Sequence, residues 1–325
     1  MPRALRLAVC LLVAVVLLAS GSPAIAQTYP VKPIRMVVPY APGGPSDVLA
    51  RIYSQKLAEA LGQPIIIDNK PGASGQIGAQ DAARAAPDGH TLMVNASSVV
   101  ILPHVMTSVL FDIEREFTPV HVMGSVPAVL IVPASAPQNT VAELVAAFRI
   151  KGGKINYGVS GAGGAMHLIA ENFRQLNGLD MQAIVYKGGG PAITAVVSGE
   201  VPMSFESLPA AMPMIKGGQL KVLAVSAPKR NPALPDVPTM IEQGYAGFDL
   251  GSWYGIWAPA KTPPEIVKRL NAELVKIAGL PDIKAKFDSL GTDPETLSLE
   301  ALAAFQKKEY ERWGAIAKKA GIKLE

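Results

Sequence analysis

Three short stretches concentrate the residues that could hold an anion. Residues 39–47 read PYAPGGPSD, residues 158–167 read GVSGAGGAMH, and residues 186–192 read YKGGGPA. In each, small residues follow an apolar run and lead into a segment with helical spacing. Glycine lacks a β-carbon, so backbone N–H groups there can approach a ligand closely. The helix that follows adds unsatisfied N–H donors and a partial positive charge at its first turn. Together these features bind a carboxylate or phosphate with little need of Lys or Arg. Tight helix-on-sheet packing explains any one turn as well; three of them point to a shared anion cleft.

Individual side chains in and near these turns divide by role. Ser46 and Asp47 are placed to cap the helix that follows, and Ser46 can alternatively offer its hydroxyl to a ligand. Asp47 reads as structural, because its carboxylate would repel an anion. Ser160 lies in the loop itself and is the stronger ligand candidate. Lys187 can pair with a carboxylate, and His167, in the first turn of a helix at the cleft, can touch one. Glu171, one turn further on, is expected to face solvent or a hinge. His90 follows the Asp88-Gly89 turn and is expected to be exposed.

Catalytic readings fail in turn. GVSGA at 158–162 lacks the last glycine of a nucleophile elbow. GAGGAM at 161–166 has Met166 where a dinucleotide fingerprint needs glycine. His90, His104, His121 and His167 show no metal-binding spacing. No cofactor and no metal are expected.

The elements that must position these turns alternate between strand and helix. Strands are expected at 34–38, 64–68 and 91–95, with helices at 46–61 and from the Gly-rich loop 71–78 to Arg84. Val48, Leu49, Ile52, Leu57 and Leu61 form the expected apolar face of the first helix. Further strands read at 129–132, 155–159, 183–186, 203–205 and 222–226. Helices read at 140–148, 164–176 and 191–198, then from the Pro263-Pro264 pair, and at 299–320. This is the grammar of parallel α/β sheets, whose ligands bind at the carboxyl ends of the strands. Two such units follow one another, giving a hinged pair of domains with a cleft between them. One comprises residues 27–125 plus 252–325; the other comprises 126–251.

Residues 1–26 have the three-part form of a secretory signal: Arg3 and Arg6, an apolar run at 7–18, and Ala24-Ile25-Ala26 before Gln27. The run is short for a membrane span, and Cys10 stands at its front rather than behind it, which argues against lipidation. Removing 26 of 325 residues leaves an exported chain of 299 with no cysteine. The full chain's formal charge of +4 loses two arginines and becomes about +2. That balance gives no reason to expect nucleic acid or an anionic membrane surface as a partner.

The ordered motifs resemble the Bug proteins, periplasmic solute receptors of tripartite tricarboxylate transporters. The resemblance runs through the mature chain. It begins with YPVKPIRMVVPYAPGGPSDVLAR at 29–51, NKPGASGQIGA at 69–79 and PDGHTL at 87–92. It continues with INYGVSGAGGAMHLIAENF at 155–173 and VYKGGGPAITAVVSGEV at 185–201. KGGQLKVLAVS at 216–226 and WYGIWAPAKTP at 253–263 complete it. It implies a type II periplasmic-binding fold that closes by hinge motion on a small carboxylate: di- or tricarboxylic, aromatic or amino acid. Carried across, the carboxylate-holding residues are Tyr40, Ala41, Pro42, Gly43, Gly44 and Ser46 in the first turn. Ser160, Gly161, Ala162, Gly163 and Gly164 serve in the second, with His167, Lys187 and Gly188 beside them. Family members often carry Asp where this chain has Glu206; the longer side chain either reshapes the pocket or points outward. The implied role is delivery to membrane transporter subunits by a monomeric receptor. Alternatives are presentation of the same ligand to a signalling partner and, with least support, a secreted hydrolase. Gly44→Val and Gly163→Val are each expected to abolish binding while leaving the fold mostly intact.

Overall fold

The computed structural model describes residues 29–324 apart from 187 and 290, so the signal sequence and Lys187 lie outside the described residues. Among the described residues no helix is long and apolar enough to cross a membrane.

Strands β1 (Ile34–Val38), β2 (Ile65–Asn69) and β3 (Thr91–Ala96) pair in parallel, in the order β2-β1-β3. Between them run α1 (Pro45–Leu61) and α2 (Gln76–Ala83). Helix α1 opens with proline at its first position, where a missing N–H does no harm, and ends at Gly62 in the left-handed conformation. After β3 come α3 (Ser98–Val105) and the 17-residue strand β4 (Phe117–Pro133).

The central unit contains α4 (Val141–Lys151), β5 (Ile155–Val159), α5 (Ala165–Asn177), β6 (Met181–Val185) and α6 (Gly189–Val197). It continues with β7 (Ser204–Ser207), α7 (Leu208–Lys216) and β8 (Leu220–Ser226). Thr140 caps α4, its hydroxyl accepting the Glu143 N–H, as the sequence predicts. Strand β9 (Gly251–Pro259) follows, then α8 (Pro264–Ala278), α9 (Pro281–Ser289), the two-residue β10 (Asp293–Pro294) and α10 (Leu299–Ala320).

Strand β4 ties the sheet together. Its first part pairs antiparallel with β9, from Phe117↔Pro259 to Pro127↔Gly251. From Ala128 onward it pairs instead with β7 and β8. The path through the sheet is β2-β1-β3-β9-β4-β7-β5-β6. Both faces of the inner strands are covered. Met36 and Val38 face a core under α1, α8 and α9, while Val37 between them faces a second core with α3 and α10. In β4, Leu130 and Val132 join that second core, and Val129 and Ile131 pack under α6 and α7.

Several expectations need correction. Val48 is exposed, and Tyr53 takes the inward place on α1, its hydroxyl donating to Met123 O. His90 is buried and accepts the Val31 N–H, because the turn at Gly89 folds back under Tyr29. Glu171 is buried too, accepting from the Tyr157 hydroxyl at 2.5 Å and from Arg174 Nε at 2.7 Å.

Candidate functional site

Helices α1 and α5 begin in the same way. Each has a glycine N-cap, Gly44 or Gly164, which has no side chain to make a capping bond. Each N-cap is preceded by a glycine of positive φ, Gly43 at 83° and Gly163 at 72°. In each, the third helical residue reaches back to that glycine: Asp47 Oδ2 accepts the Gly43 N–H at 2.9 Å, and His167 Nδ1 accepts the Gly163 N–H at 3.1 Å. The first intrahelical bonds are Val48 N–H to Gly44 O and Leu168 N–H to Gly164 O. The N–H groups ahead of them are therefore not used within either helix, and both helix ends open on one cavity.

That cavity holds about 540 Å³. Tyr40, Ala41, Pro42, Gly44 and Ser46 line it from the turn after β1, and Ser160, Gly161, Ala162 and Gly164 from the turn after β5. Gly188 comes from the turn after β6 and Glu206 from β7. Of the residues chosen from sequence, Gly43, Gly163 and His167 stand behind the wall and shape the turns. Ser46 is not a cap, since Gly44 and Pro45 occupy the cap and first helical position; it is 4 % exposed and lies in the wall.

Asp47 is structural, as the sequence suggests. Burial pushes its pKa up, but Arg51, the Gly43 N–H and Asn69 outweigh that and hold it at about 2. Burial holds the His167 imidazole below its usual range, so it accepts from Gly163 as a neutral ring. Gly163 also sits tightly. A β-carbon there would lie 2.6 Å from Leu324 Cδ1, so Gly163→Val strains the fold as well as the site.

The sequence reading missed part of the wall. Ser97 and Ser98, at the start of α3, and Ser252 and Tyr254, on β9, complete the cavity. The Ser97 and Ser252 hydroxyls meet at 3.1 Å, while the Tyr40 hydroxyl donates to Asn95 Oδ1 at 3.0 Å. NASS at 95–98 has the same form as the other turns, small polar residues after a parallel strand, and was the available signal.

Glu206 points inward. It is 1 % exposed, its Oε1 accepts from the Ser204 hydroxyl at 3.1 Å, and a β-carbon on Gly189 would lie 3.3 Å from its Oε2. Burial pushes its carboxyl up to about 8, against the hydroxyls of Ser204 and Ser160, which hold it down. Among the described residues no Lys, Arg or His lines the cavity. The same residues contain no cluster of side chains suited to a metal ion.

Comparison with known proteins gives a consistent result. A family profile described as tripartite tricarboxylate transporter family receptor matches residues 49–322. Protein BugT of Bordetella pertussis is 32 % identical over 307 residues, covering 94 % of each chain. Among solved structures, an R. palustris protein with adipate superposes with a TM-score of 0.85 at 34 % identity, covering 91 % of this chain and 99 % of that one. MatC from Rhodopseudomonas palustris with bound malate gives 0.78 at 32 % identity, covering 89 % and 100 %.

Proposed function

This chain belongs to the tripartite tricarboxylate transporter receptor family, whose members are solute-binding receptors rather than enzymes, and we propose that it binds a small carboxylate outside the cytoplasm and delivers it to the membrane subunits of such a transporter. One observation carries the reading: two helix N-termini of identical construction face a cavity that no cationic side chain lines among the described residues. Backbone N–H donors and helix dipoles supply the attraction for an anion. The cavity's 540 Å³ suits a small organic acid. The adipate and malate in the R. palustris structures support that ligand class.

Strand β4 changes partner between Pro127 and Ala128, which supports a boundary between two units there. On this reading residues 29–125 with 252–324 form one lobe and residues 126–251 the other, closing on the ligand about that crossing. The closed form is what the transporter engages, and the chain works as a monomer in the periplasm after cleavage near Ala26.

A thermal-shift screen of the mature protein against adipate, malate, citrate and benzoate, with their amides as controls, tests this. A ligand at about 100 times its Kd adds about 2.7 kcal/mol. Gly44 has φ −74° and room for a β-carbon, with Ala41 O at 3.6 Å, so Gly44→Val folds but loses the shift. Shifts with the amides alone would sink the carboxylate reading.

A further inference from the structure

The cavity presents an electrostatic conflict. Two helix N-termini in it favour an anion, and among the described residues the one acidic side chain in its wall is the buried carboxyl of Glu206. Two carboxylates in one desolvated space repel strongly unless a proton lies between them. We propose that Glu206 is protonated whenever a carboxylate occupies the cavity and donates its O–H to that carboxylate, so that ligand binding is coupled to proton uptake. This rests on the carboxylate reading above and assigns Glu206 a specificity role within it.

The surroundings of Glu206 carry the argument. On β4 it pairs with Val129, and its Oε2 lies against Gly189, the first residue of α6. Its hydrogen-bonding neighbours are the neutral hydroxyls of Ser204 and Ser160. On α5, His167 and Glu171 are committed elsewhere, His167 to Gly163 and Glu171 to Tyr157 and Arg174. Elsewhere in the cavity wall, Tyr40 and Tyr254 are phenols that burial keeps neutral. Among the described residues no charged partner is in place to hold Glu206 ionised. The N-termini of α1 and α5 favour an anion in the cavity; once the ligand supplies it, a second negative charge on Glu206 is opposed. Burial alone already raises this carboxyl to about 8, so the coupling falls in an accessible range.

The consequence is a preference set by charge. A neutral carboxyl offers one donor to a carboxylate oxygen, and the shared proton discriminates against ligands that bring only acceptors at high pH. By reciprocity, a carboxylate that favours protonated Glu206 must also raise its proton affinity.

Isothermal titration with adipate and with malate, in buffer pairs of different ionisation enthalpy, reads proton uptake directly. We expect negligible uptake at about pH 6.5, uptake approaching one proton per ligand above about pH 8, and a Kd rising about tenfold per pH unit there. Glu206→Gln keeps a neutral donor and loses both the uptake and the pH dependence. A wild-type Kd that is constant up to about pH 9.5 without uptake overturns the inference, whatever the variant does, and leaves the receptor reading standing. Uptake that persists in Glu206→Gln overturns it too. If adipate, malate, citrate and benzoate all fail to bind at about pH 6.5, the carboxylate reading itself falls and the inference falls with it.

Discussion

The buried Glu206 carboxyl should make the ligand-free protein lose stability as pH rises, and Glu206→Gln should remove that loss. In the unfolded chain this group titrates near its model value of 4.5; in the folded chain burial holds it to about 8. Between those values the unfolded state has released a proton that the folded state still binds. Folding stability therefore falls with rising pH in that window and levels off above it. Each unit of difference is worth about 1.4 kcal/mol, so the whole window amounts to about 5 kcal/mol. The assay is urea unfolding of wild type and variant at half-unit pH steps, compared as a difference so that other titrating groups cancel. The difference should be flat below about pH 4.5, should favour the variant increasingly up to about pH 8, and should then be constant. A difference that stays constant across this range would falsify the claim that Glu206 is held protonated by desolvation.

Three other outcomes follow from the packing. His121 is buried, its Nδ1 has no partner among the described residues, and burial pushes its pKa down to about 3. The unfolded chain protonates first as pH falls from 6.5, so stability drops by about 1.4 kcal/mol per unit on the acid side; denaturation midpoints of His121→Leu should be flatter there. Glu309 Oε2 accepts both buried indole N–H groups, Trp253 at 2.9 Å and Trp313 at 3.0 Å. Glu309→Leu strands both donors and should cost about 4 kcal/mol by denaturant unfolding, with Glu309→Gln much milder. Gly163→Ala forces a β-carbon to 2.6 Å from Leu324 at a φ of 72° and should cost about 2–3 kcal/mol. Adding Leu324→Ala should recover about 1 kcal/mol, measured as a double-mutant coupling; strict additivity would place the strain elsewhere.

Much of the fold was legible because local signals and tertiary demands agree. The limits of α10 at Leu299 and Ala320 follow from the Ser298 cap and from Gly321, which stops the helix in the left-handed conformation. The glycine turns after β1, β5 and β6 could be read because each sits between an apolar run and a helical period. Helix α3 could not be read. Its SVVILPHV is apolar on every side, since it lies between the sheet and α10, and periodicity vanishes when every face is buried. With α3 went its cavity serines. Residues 117–128 were also unread as strand, because Pro119, Gly124 and Pro127 interrupt the pattern; β4 accommodates such breaks with register shifts against β9. The orientation of Glu206 lay beyond sequence, since a four-residue strand buried throughout has no alternation to show which way one carboxyl points.

Strand β9 has a consequence for the order in which the molecule can form. It lies between β3 and β4, pairing Ala96 with Tyr254 and Phe117 with Pro259. Until residues 251–259 are available, β3 and β4 each keep an open edge, and the first three strands form an unfinished sheet. Such a sequence-distant closure is slow relative to local helix formation. A chain emerging from its N-terminus therefore keeps these two strand edges unsealed until nearly four-fifths of it has appeared.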